Sequence, residues 1–135
     1  MTGRFVQEDD LVLEDMGWGE VCWLCRPSLT GATKLAVVEV ILPPGGGHSF
    51  HRHPRQEEVI TVKSGRIEQW IDQDRRELGP GEAAFIPADT VHASFGLSQE
   101  PARLVVAIGP CVGEDGYEVV DVFDQEPWRS LRDTG

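Results

Sequence analysis

The chain has 135 residues, 40% of them hydrophobic, and a formal net charge of −11, a length that suits one domain around one core and leaves no room for a second. With 23 Asp and Glu against 12 Lys and Arg, a nucleic-acid partner is excluded, because binding a phosphate backbone relies on basic side chains that release its counterions. No apolar run approaches the roughly eighteen residues that span a bilayer, so no membrane partner is expected either.

Residues 1–34 read as an N-terminal arm with short edge strands. Phe5, Val6, Leu11, Val12, Leu13 and Met16 are its apolar anchors before Trp18. Met1-Thr2-Gly3-Arg4 leads into acidic residues where a signal peptide would place its apolar stretch. Three cysteines without a secretory signal fit reduced thiols, which points to the cytoplasm. Cys22 and Cys25 form a C-x2-C without a second cysteine pair or a βαβ context, and on a strand their sulfurs would face opposite ways, so no metal or redox role is expected of them. The acidic residues of this arm, and those from Glu114 to Asp133, read as solvated flanks.

Residues 35–110 read as a barrel core. Leu35–Leu42 is rich in β-branched residues and stops at Pro43-Pro44-Gly45-Gly46-Gly47, which predicts a buried strand ending in a sharp loop. Further strands are predicted over 58–62, 66–71, 83–87, 91–95 and 103–108, with turn formers between them, including the whole of 72–81. Residues 111–135 add one strand over 117–123 and a tail that docks through Trp128, while Cys111 reads as a small buried hydrophobe. No segment sustains a 3.6-residue apolar period, so helix content is expected to be small and the fold class all-β, an antiparallel sandwich or barrel. Phe50, Trp70, Phe85 and Phe95 are expected in the barrel core or lining its pocket.

All four histidines fall between residues 48 and 92. His51 and His53 stand two apart, which on a strand puts both imidazoles on one face. Glu58 follows a short turn, and His92 arrives from a separate strand. Two imidazoles and a carboxylate from one hairpin-like segment, joined by a third imidazole, form a ligand set for one divalent ion (Fe, Mn, Ni, Zn or Cu) with positions left open for water or substrate. His48, in a glycine-rich loop, and Gln69, an amide between Ile67 and Ile71 on an otherwise apolar face, are candidates for the substrate pocket.

The run Gly45-x5-His51-x-His53-x4-Glu58-x6-Gly65 resembles the first cupin motif at every defined position, and its count to Gly65 selects Glu58 over Glu57. Gly81-x5-Pro87-x-Asp89-x2-His92-x3-Gly96 is similar to the second motif, with Asp89 replacing a glycine and Gly96 replacing an asparagine. Asp tolerates a left-handed backbone better than most residues, so the turn can survive that change. The resemblance implies a double-stranded β-helix, or jelly-roll, with the metal inside the barrel on His51, His53, Glu58 and His92. The fuller run most resembles small single-domain cupins grouped with quercetin-dioxygenase-like proteins.

That likeness implies a metal-dependent, dioxygenase-like oxidoreductase acting on a small chelating organic substrate, with Glu58 taking the substrate's proton, and a homodimer built through edge strands. Cupins also include isomerases, lyases and proteins that only bind small molecules, and the fold does not choose among them.

Overall fold

Alternation decides which side chains enter the interior. The computed structural model of the chain describes residues 2–132. Its strands are β1 (Leu13–Asp15), β2 (Glu20–Cys25), β3 (Ala36–Leu42), β4 (Gly47–Arg52), β5 (Glu57–Ser64), β6 (Ile67–Ile71), β7 (Asp74–Leu78), β8 (Ala83–Ile86), β9 (His92–Gly96), β10 (Ala102–Gly109) and β11 (Val120–Asp121). Among the described residues the only α-helices are α1 (Pro27–Thr30) and α2 (Trp128–Leu131), one turn each.

The strands form a six-stranded sheet, β1-β2-β3-β10-β5-β8, and a five-stranded sheet, β11-β4-β9-β6-β7, with every strand pair antiparallel. The fold is therefore all-β, as read from the strand spacing. Along β3, Ala36, Val38, Val40 and Leu42 are buried, and along β10 the same is true of Ala102, Leu104, Val106 and Ile108. All of these but Ala36 and Ile108 join Ile60 and Val62 of β5 and Ala84 and Ile86 of β8 in one apolar interior. Each such aliphatic side chain, fully buried, contributes about 1.5–3 kcal/mol.

A second apolar cluster lies outside the barrel. Phe50, Trp70, Ala93, Phe95 and Val122 pack together, and Trp128 and Leu131 of α2 cover them. Docking through Trp128 is thus observed, but Phe50, Trp70 and Phe95 are neither barrel core nor pocket lining. They occupy the opposite face from the inward Gln69, His92 and Ser94, because neighbours along a strand point to opposite sides. Phe85 is 55% exposed, on the outer face of β8.

Two strands differ from the sequence reading. Residues 74–78, read as turn, form the edge strand β7, whose Asp74-Arg75-Arg76-Glu77 face solvent and so carry no alternating pattern. The strand read over 117–123 shortens to Val120–Asp121, because residues 110–119 fold over the barrel mouth instead. The acidic flank is not uniformly solvated either, since Asp115 pairs with Arg26 and Glu118 with Arg55; Asp133 lies outside the described residues. Cys111 is only half-buried.

Candidate metal centre

The histidines converge through strand pairing and one irregularity. His51 on β4 lies directly opposite His92 on β9. A register shift between His48 and His51 turns His48 onto the same face as His51, although residues three apart on a regular strand would face opposite ways. His53 follows the end of β4, and Glu58 enters from β5 in the facing sheet. Asp89 holds this corner together: its backbone is left-handed (φ 65°), its N–H donates to His53 O at 2.9 Å, and its carboxylate accepts from Arg52 at 2.6 Å. The aspartate at the motif's glycine position thus adopts the glycine conformation and adds an ion pair. Gly96, at the asparagine position, has no space for a side chain, since a Cβ there would sit 2.7 Å from Pro43 O.

Each ligand imidazole is oriented by a carbonyl. Nδ1 of His51 lies 2.6 Å from Ser49 O, Nδ1 of His53 lies 2.8 Å from Glu118 O, and Nδ1 of His92 lies 3.0 Å from Thr90 O. A carbonyl only accepts, so the hydrogen sits on Nδ1 and the Nε2 lone pair faces inward. The three rings offer ligand atoms within 4.8 Å of one another, and all three residues are buried. His53 Nε2, His92 Nε2 and Glu58 Oε1 are buried without a hydrogen-bond partner. Glu58 Oε1 stands 2.7 Å from His92 Nε2, and Glu58 Oε2 stands 3.6 Å from His53 Nε2. Acceptors facing acceptors in a buried space call for a shared cation, and imidazole with carboxylate is a donor set that suits a divalent transition metal.

The electrostatics agree. Burial, reinforced by the neighbouring imidazoles, holds His51 well below its usual range and pushes His48 down to about 3. Burial also lowers His53, although Glu58 opposes it. Burial alone would raise Glu58, but His92, His53 and His48 outweigh it and keep the carboxyl below its ordinary range. The pocket therefore favours neutral imidazoles at His48, His51 and His53 and an ionised Glu58, protonation states that bind metal.

A cavity of about 630 Å³ opens over these groups. Its walls are aliphatic, from Val38, Val40, Leu42, Ile60, Leu104 and Val106, and aromatic, from Trp18, Trp23 and Tyr117. His48 lines it in a stack, 4.2 Å from the Trp18 ring and 3.5 Å from the His51 ring. Gln69 stands one layer back: its Oε1 accepts from Ser94 Oγ at 2.6 Å, its Nε2 donates to Trp70 O at 3.0 Å, and Ser94 is the residue that faces the cavity. Arg26 is the one cation among the lining residues, and Glu14 and Asp115 engage it at 3.4 and 3.1 Å.

Two contributors escaped the sequence reading. Gln56, read as part of a turn, is fully buried; its amide donates to Pro110 O and Gly116 O and accepts from Glu118 N, which pins residues 110–119 over the mouth. Tyr117, read as strand, lines the cavity instead. A buried-type amide followed by a lone tyrosine in an irregular acidic stretch carries no periodic signal that would have marked either residue.

Residues 38–108 match the cupin domain family, more than half of the chain. This chain is a cupin. Among curated relatives, Protein SchB of Streptomyces halstedii is 33% identical over 91% of this chain and 89% of its own length. Polyketide synthase CurC of Streptomyces cyaneus is 31% identical over 90% of this chain and 79% of its own. The structure of KdgF from Halomonas sp. superposes with a TM-score of 0.72 at 22% identity, covering 81% of this cupin and 94% of that chain, a likeness of fold.

Proposed function

We propose that this cupin is a metal-dependent, dioxygenase-like oxidoreductase that binds one divalent ion through His51, His53, His92 and Glu58 and acts on a small organic molecule chelating through neighbouring oxygens. The observation that carries this reading is the set of three buried imidazoles, each fixed by a carbonyl on Nδ1, with Glu58 2.7 Å from His92 Nε2 and 3.6 Å from His53 Nε2. Such an ion supplies Lewis acidity and, when redox-active, electrons for reaction with O2. The chain's own groups bind the ligand's apolar body along the aliphatic walls, exclude water from the deep end and keep Glu58 ionised at the cavity floor. Glu58 takes the proton of the ligand's enol or phenol as it docks.

The cavity's charge supports an uncharged ligand. Its one lining cation is already paired with Glu14 and Asp115, and Glu114 also lines it, so the protein offers a free carboxylate or phosphate no unpaired cation of its own. A phenolic or enolic ketone with an apolar body satisfies both the walls and the centre, and kinship with a protein named for polyketide synthesis supports the same class.

The deciding experiment pairs elemental analysis with O2 uptake on flavonols or other chelating phenols. About one equivalent of iron, manganese, nickel or copper, lost together with O2 uptake in the His51→Ala, His92→Ala variant, is expected. Zinc alone with no uptake would move the reading to isomerase or lyase chemistry or to ligand binding, and no metal after reconstitution would end it. Phe85, Val59 and Leu35, exposed together near edge strand β8, support assembly as a homodimer, for which a Phe85→Asp variant sedimenting as a smaller species than the parent is the check. Three free cysteines support a reducing, cytoplasmic setting.

A further inference from the structure

Many of the polar groups around the cavity are engaged within the protein. Ser94 donates to Gln69, Gln56 holds three backbone groups, Arg26 holds two carboxylates and Glu118 pairs with Arg55. Of the two hydroxyls that line it, Ser94 is paired and Tyr117 is not. Its ring lines the cavity, and its hydroxyl has no hydrogen-bond partner among the described residues, although it lies near enough to Glu58 and Asp121 to feel both charges.

The ring is also held in place. Its centroid is 5.2 Å from that of His53 and 5.7 Å from that of Trp23, the latter in an edge-on arrangement. On either side the backbone is pinned, Gly116 O and Glu118 N to the buried Gln56 and Tyr117 N to Glu114 O. A rigid phenol beside a metal ligand, with a free O–H in an apolar-walled cavity, is a donor prepared for something that enters.

We propose that Tyr117 is a substrate-contacting residue that donates a hydrogen bond to an oxygen of the bound ligand and so selects ligands carrying an oxygen acceptor at the metal-facing end. This rests on the reading of the cavity as the ligand site. A ligand oxygen there accepts from Tyr117 while its hydroxyl proton passes to Glu58, so the two residues read complementary halves of a hydroxy-ketone. A ligand without an acceptor forgoes that hydrogen bond and is disfavoured.

The test uses the full chain loaded with cobalt(II), whose visible spectrum reports coordination, and compares the parent with Tyr117→Phe, which keeps the ring packing and removes only the oxygen. Two probes are titrated: 3-hydroxyflavone, which presents oxygens, and imidazole, which presents none. The expected result is flavonol binding weakened about three- to tenfold in Tyr117→Phe, the scale of one lost hydrogen bond, with imidazole affinity, cobalt content and melting temperature unchanged. Equal flavonol affinity in the two proteins would overturn the proposal, and so would an equal loss for both probes, which would mark Tyr117 as a prop for His53. Failure of the parent to bind flavonol despite full cobalt loading would overturn the ligand class itself, whereas failure to take up cobalt would reach back to the metal centre.

Discussion

A buried imidazole that donates Nδ1–H to a carbonyl has only a lone pair left to offer, and three such rings at one point, with Glu58 2.7 Å from one of them, leave acceptors facing acceptors. Folding alone gains little from that arrangement, because unpaired buried acceptors cost about 1–3 kcal/mol each. Glu58→Gln separates folding from binding, since the new amide can donate to His92 Nε2. The metal-free variant is expected to melt at or above the metal-free parent, while its affinity for a divalent metal falls at least about tenfold; paired thermal melts and metal titrations check both halves. A variant that melts lower yet binds metal as well as the parent would remove Glu58 from the ligand set. The candidate ligands were legible in the sequence because their spacing is itself the signal. His48 was legible only as a candidate, since the register shift that stacks it on His51 is a property of strand pairing. Gln69 was read correctly as an amide needing a partner, but the partner, Ser94, lies 25 residues away and no local pattern announces it.

Between residue and fold, two segments decide how the barrel closes. Residues 110–119 cross the mouth with little strand structure, and the buried Gln56 satisfies Pro110 O, Gly116 O and Glu118 N at once. Because Glu118 O orients His53, this strap and the metal centre share a hinge. Gln56→Leu is expected to lower stability by about 2–4 kcal/mol and to expose the strap to proteolysis; unchanged urea midpoint and cleavage rate would deny the strap its anchor. On the outer face, Glu68 accepts from Trp70 Nε1 at 2.6 Å and from Arg132 Nε at 2.9 Å, which fastens the C-terminal segment. Burial alone would raise this carboxyl, yet those donors and the charges of Arg132 and Arg75 hold it below its ordinary 4.5. Just below 4.5 the unfolded chain binds a proton that the folded chain refuses, so this stabilisation is complete above 4.5 and drains away as pH falls through the lowered value. Trp128 fluorescence, followed from neutral pH downward, should report release of the segment in that acid window, and Glu68→Gln should flatten the transition. The core strands β3, β5 and β10 were legible because burial imposes alternation on them. The edge strand β7 was hidden because exposure imposes no pattern, and the strap was misread as strand because Tyr117 to Phe123 alternates by accident of composition.

At the scale of the whole molecule, two sheets from distant parts of the chain each bring candidate ligands into the interior: β4 and β9 of one sheet bring His51 and His92, and β5 of the other brings Glu58. The constellation therefore exists only in the folded state, and an ion bound there stabilises folding by mass action. At a thousandfold excess over its dissociation constant that linkage amounts to about 4 kcal/mol, which for a domain of this size corresponds to a shift in melting temperature of roughly 10–20 °C. Chelation should lower the melting temperature of the loaded parent by that amount and leave the His51→Ala, His92→Ala variant where it was. Restoring the metal should return the parent alone. A parent indifferent to chelator would mean that no metal is held there, and because burial keeps His51 and His53 below their usual range, its stability would fall on mild acidification. Because only an ion-filled site responds to chelator, melting curves with and without it distinguish a metal centre from an empty pocket before any substrate is known.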